Sequence, residues 1–181
     1  MKMKSYHYSK FILNIKKAKG IFYIRLYSPI ISTQKLPATK NVLKIMLPGV
    51  LKTECFNSQN IPFSEEVKNT ETGHLFEHIL LEYLCEEKEK SGKNNFFFEG
   101  QTTWDWNKHK IGTYHIVIKS NNDEELVFNK ALVKAASLME FILNTYNLSR
   151  LYKKNKHIHK WQLHAPPEHT LLNKTKLQAV L

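Results

Sequence analysis

Thr72-Gly73-His74-Leu75-Phe76-Glu77-His78-Ile79-Leu80-Leu81-Glu82-Tyr83-Leu84 lies near the middle of the 181-residue chain, and its periodicity sets the reading of the rest. Leu75, Phe76, Ile79, Leu80, Tyr83 and Leu84 recur at the three- and four-residue spacing of a helix with one packed face. The pattern predicts a helix from near Thr72 to about Lys90, stopped by Ser91-Gly92. Downstream, Asn95–Glu99 and Gly112–Lys119 read as strands, with Trp104, Asp105 and Trp106 in the connection between them. A second helix is expected from Asp123 or Glu124 to Tyr146, where Leu126, Val127, Ala131, Leu132, Ala135, Leu138, Met139 and Ile142 keep helical spacing.

Upstream, Ser64-Glu65-Glu66 suits a short helical turn, with Ser as N-cap and acids in the first turn. Residues 52–63 are polar and read as loop. Val42-Leu43-Lys44-Ile45-Met46-Leu47 reads as a strand stopped by Pro48-Gly49. Two more strands, Phe11–Ile15 and Ile21–Tyr27, flank a turn at Lys17-Ala18-Lys19-Gly20. This order predicts an α+β, ferredoxin-like sandwich: an antiparallel sheet with two main helices on one face, plus an N-terminal hairpin.

An apolar fraction of 42% supports a packed core rather than disorder. Two cysteines, Cys55 and Cys85, are too few for a disulfide framework and read as reduced thiols. The basic start Met1-Lys2-Met3-Lys4 is followed by an apolar stretch broken by Asn14, Lys16 and Lys17. That is neither a signal peptide nor a membrane span, so a cytoplasmic protein without a membrane partner is expected. The net charge of +11 is unevenly spread. Arg150, Lys153, Lys154, Lys156 and Lys160 fall in a run without acids, whereas Glu82 to Glu89 is acidic. Residues 1–149 are expected to form one domain and residues 150–181 a basic extension, with Pro166-Pro167 ahead of a last helix at 168–180. No recognised nucleic-acid motif accompanies the charge, which argues against a nucleic-acid partner. Nothing in the pattern specifies an oligomeric state.

His74, Glu77 and His78 form H-x-x-E-H, the inverted zinc-peptidase motif. Residues at i and i+4 share one helix face, so both imidazoles can address one ion while Glu77 stands beside them as a general base. Catalytic zinc also needs a third protein ligand and an open position for water. In this motif class the third ligand is usually a Glu from a later helix. Glu140, the acid inside the second helix, is the candidate, and Glu82, one turn after His78, is its rival. Other groups carry less. His157, His159, His164 and His169 are too loosely spaced for a standard site, and Cys85 falls on the apolar helix. Trp104 and Trp106 suit either the cover of a cleft or the cap of a core edge.

Leu47-Pro48-Gly49, Cys55 in a polar loop, and Glu71-Thr72-Gly73-His74-Leu75-Phe76-Glu77-His78-Ile79-Leu80-Leu81-Glu82 together resemble the N-terminal domain of cyanophycin synthetases. Gly100-Gln101-Thr102-Thr103 and Gly112-Thr113-Tyr114-His115-Ile116-Val117 are similar to that domain's G-K-T-R and G-V-Y-x-V-V strands, with Thr103 in place of the Arg. The resemblance spans about residues 40–145. It implies a pitrilysin-like form of the sandwich, zinc held by His74 and His78, and Glu77 as base. It further implies hydrolysis of a peptide or Asp/Arg-rich polymer, or, as the alternative, a non-catalytic polymer-binding module of the same fold. The ATP-dependent ligase domains that follow in synthetases do not occur in these 181 residues.

Overall fold

A computed structural model of the chain describes residues 3–18, 20–55, 61–92, 98–120 and 125–162, with side chains described as far as Tyr146. The chain divides into two compact units, Met1–Asn147 and Leu148–Leu181. In the second unit the described backbone is helical and ends at Gln162.

In the first unit β1 (Lys4–His7), β2 (Ile12–Ala18), β3 (Ile21–Tyr27), β4 (Phe98–Thr103) and β5 (Thr113–Ser120) form one antiparallel sheet. Their order is β1-β2-β3-β5-β4. The period of two sorts the side chains. Leu13, Ile15, Phe22, Ile24, Leu26, Tyr114, Ile116 and Ile118 are buried on one face. Asn14, Lys16, Tyr23, Arg25, His115 and Lys119 occupy the other.

Two helices cover the apolar face, as the α+β sandwich requires. The first, α3 (Thr72–Lys90), has the bounds its periodicity predicts and packs on β4 and β5. Gly73 lets it approach closely, because a Cβ there would fall 2.3 Å from the Tyr114 ring. The second, α4 (Glu125–Gln162), stacks Phe128 on Phe22 at 3.6 Å. The two helices lie side by side, with Lys134 of α4 paired to Glu87 and placed over the Tyr83 ring of α3.

Five elements depart from the sequence reading. Among them, β4 runs Phe98–Thr103 where a strand over Asn95–Glu99 is expected, and residues 95–97 lie outside the described residues. Residues 42–47 are not a strand: they belong to α1 (Thr39–Met46). Thr39, Leu43 and Leu47 are buried at four-residue spacing, while Ile45 is 81% exposed. A six-residue apolar run fits both periods, and burial of every fourth residue decides for helix. The fifth strand is instead β1, an edge strand whose residues are mostly exposed, so it carries no apolar alternation to read. Finally, α4 continues past Tyr146, so the basic run from Arg150 to Lys160 is helical. The short turn is α2 (Phe63–Glu66), opening behind Pro62 rather than at a Ser64 cap and burying Phe63. The expected helix at 168–180, His164 and His169, and the side chains of His157 and His159 lie outside the described residues.

Candidate functional site

His74 and His78 stand one turn apart on α3, and their Nε2 atoms approach to 3.1 Å. Neighbouring elements fix both rings through Nδ1. Thr53, which follows the 3-10 turn Pro48–Lys52, places Oγ1 3.0 Å from Nδ1 of His78 while donating its own proton to the Val50 carbonyl at 2.8 Å. A hydroxyl has one proton to give, so here it accepts from Nδ1–H and the lone pair of His78 lies on Nε2. Nδ1 of His74 faces Thr70 Oγ1 at 2.9 Å and Glu66 Oε1 at 3.4 Å. An ionised carboxylate only accepts, which favours the same tautomer. Phe63 stacks on the His78 ring at 3.8 Å and 13°. Burial, and then the charge of His74, push the His78 pKa down to about 3, so the ring stays neutral.

Cys55 completes the group. Its Sγ lies 3.4 Å from Nε2 of His74, and the donor atoms of Cys55, His74 and His78 all fall within 4.8 Å of one another. Two imidazole lone pairs and a sulfur therefore converge on one point, an arrangement a cation relieves. Around tetrahedral zinc, bonds of about 2.05 Å to nitrogen and about 2.3 Å to sulfur give edges of about 3.3 Å and about 3.6 Å. The observed 3.1 Å and 3.4 Å fit that donor set. Hydroxyl and carboxylate partners on the far ring nitrogens are the usual outer support of metal-binding histidines.

Glu77 shares the helix face with the two histidines and is 5% exposed. Its carboxylate passes over Gly100 of β4, where a Cβ would come within 2.5 Å of Oε1, and accepts the Thr102 hydroxyl on Oε2. Burial raises its pKa, and the Thr102 hydrogen bond opposes that rise. The group opens into a cleft of about 600 Å³ whose lining also includes Glu54, Glu66, Glu71, Glu99, Gln101 and Trp104. Among the described residues, five glutamates and no Lys or Arg line this cleft, opposite in sign to the chain as a whole.

Glu140 is not brought to this group. Its carboxylate accepts the Ser9 N–H at 2.9 Å, which lowers its pKa. The side of α3 that faces α4 carries Tyr83 and Glu87, about 180–220° around the helix from His74 at 100° per residue. A residue of α4 thus meets the wrong side of α3. Glu82 leans on the Gly49 backbone and does not line the cleft. Trp106 donates to the Thr113 carbonyl and packs on Tyr114, whereas Trp104, 41% exposed, stands at the cleft. Sequence reasoning passed over Cys55 as a donor because it lies 19 residues before His74, in a segment without periodicity.

Fold and site together define an α+β sandwich with a Cys/His/His cluster on its H-x-x-E-H helix, able to hold a metal ion. The chain belongs to the cyanophycin synthase-like N-terminal domain family, whose model matches residues 23–144. No curated protein matches it. Among the described residues, no helix is long and apolar enough to cross a membrane.

Proposed function

We propose that this domain is a zinc-dependent peptide hydrolase in which Cys55, His74 and His78 hold the metal and Glu77 is the general base. The observation that carries the reading is the convergence of two Nε2 atoms and one Sγ beside the buried Glu77 carboxylate, at a cleft large enough for a peptide. Three protein donors leave a fourth position open, the mark of a catalytic rather than a structural site. Zinc bound there supplies a Lewis acid that polarises the scissile carbonyl and acidifies water.

The remaining work belongs to the chain's own side chains. Thr102 holds Oε2 of Glu77, so Oε1 is the oxygen that takes the proton of the attacking water and passes it to the leaving amine. Burial brings the carboxyl toward the range in which a base both accepts and returns a proton near neutrality. The carboxylate-lined cleft favours a peptide with cationic side chains, which includes the arginines of an Asp/Arg-rich polymer.

Zinc content and hydrolysis of Asp-Arg and general peptides, measured for the parent and Glu77→Gln, test the proposal. We expect about one zinc per chain in both proteins and cleavage by the parent alone. A parent that holds no zinc and cleaves nothing would overturn the hydrolase reading, and retained peptide binding in that protein would establish the polymer-binding alternative.

A further inference from the structure

The face of the sheet turned away from the helices carries a second arrangement that the hydrolase reading does not use. Arg25 of β3 lies directly opposite His115 of β5, with Asn14 of β2 on its other side. The His109 ring approaches that of His115 at 4.8 Å, and Lys110 places its ammonium 4.2 Å from the centre of the Tyr27 ring. A pocket of about 290 Å³ is lined by Asn14, Arg25, Tyr27, His109, Lys110 and Thr113, besides Ile12.

Among the described residues, no carboxylate lines that pocket and neither Arg25 nor Lys110 forms an ion pair. Asp105, the acid near His109, is engaged by Lys108 at 3.0 Å. His115, the cross-strand neighbour of Arg25, does not itself line the pocket. Two permanent cations thus share one pocket whose described lining holds no acid, with the Tyr27 ring facing Lys110, an arrangement that attracts an anion.

We infer that the pocket between Arg25, His109 and Lys110 on the outer sheet face binds a phosphate group, free or on a small molecule. Two permanent cations balance the charge of about −1.5 to −2 that a phosphate monoester carries near neutrality, whereas a single carboxylate leaves one cation over. The guanidinium offers a planar fork to two oxygens, and Asn14 and the His109 imidazole supply neutral donors around them. This inference is independent of metal at Cys55, His74 and His78.

Calorimetric titration of inorganic phosphate and of pyrophosphate into the full chain, at constant ionic strength, tests it. Both the zinc-loaded and the chelator-treated protein are titrated. We expect one saturable site in both, weakened at least tenfold in Arg25→Gln and in Lys110→Gln. It should be unchanged in Lys16→Gln, which removes a charge from the same face outside the pocket. A melting temperature that phosphate raises in the parent and leaves unmoved in Arg25→Gln gives a second readout. Tighter pyrophosphate than phosphate identifies a phosphorylated molecule as the ligand, and the reverse order identifies free phosphate. Absence of saturation with both anions, unchanged binding in Arg25→Gln, or equal weakening in Lys16→Gln overturns the inference.

Discussion

At Glu77, burial and one hydroxyl act in opposite directions on the same carboxyl: desolvation raises its pKa, and the Thr102 hydrogen bond lowers it. Removing the hydroxyl leaves the raising influence unopposed. Thr102→Val is therefore expected to move the acid limb of the hydrolysis pH profile to higher pH, and a profile that does not move removes Glu77 as the base. The imidazoles depend on hydroxyls in another way. Thr53 and Thr70 meet Nδ1 of His78 and His74 at 3.0 and 2.9 Å, and so direct Nε2 to the shared point. Thr53→Val and Thr70→Val should each weaken zinc binding by about 10- to 100-fold, measured by competition with a chelator, while the fold persists. His74, Glu77 and His78 were legible in the sequence because a helix fixes i, i+3 and i+4 on one face. Their supports were not, since Thr53 and Cys55 come from a non-repeating segment that only the packed chain carries to α3.

Among the elements, α1 shows how a short apolar run misleads. In a strand, Leu43, Ile45 and Leu47 would share one face; in the helix, Leu43 and Leu47 are buried and Ile45 is 81% exposed. Leu43→Ala is expected to cost about 2–5 kcal/mol in a urea titration, and Ile45→Lys less than about 0.5 kcal/mol. Comparable losses for the two would restore the strand. The fit of α3 to the sheet is equally specific. A methyl at Gly73 meets the buried Tyr114 ring at 2.3 Å, so Gly73→Ala should destabilise the domain by about 1–3 kcal/mol in the same titration. A long element with a sustained period, such as α3, was readable in type and approximate bounds. The edge strand β1, which buries little, left no pattern to find.

Over the whole molecule, the site links stability to pH and to metal. The folded His78 has a pKa of about 3, below its ordinary 6.5, so the unfolded chain takes up the proton first. The contribution of neutral His78 is complete above about pH 6.5 in the metal-free protein. It is lost as pH falls from there toward 3, at up to about 1.4 kcal/mol per unit, and urea titrations in chelator across that window should show the decline. Zinc at 100 times its Kd should add about 2.7 kcal/mol near neutrality, and this increment shrinks on acidification because the ligands take up protons. Stability that is flat from pH 7 to 4 in chelator would contradict the buried, neutral His78.

By itself the sequence determined that a long amphipathic helix carries H-x-x-E-H, that strands and helices make an α+β sandwich, and which family the chain resembles. Those properties are local or periodic, and backbone geometry turns them directly into shared faces. Tertiary structure alone decided that Cys55 rather than Glu140 joins the histidines, because the side of α3 that meets α4 is opposite the side that bears the motif. It also decided the sign of the cleft in a chain of net charge +11. Charge at a site depends on which surfaces the fold brings together, and no sum along the chain contains that information.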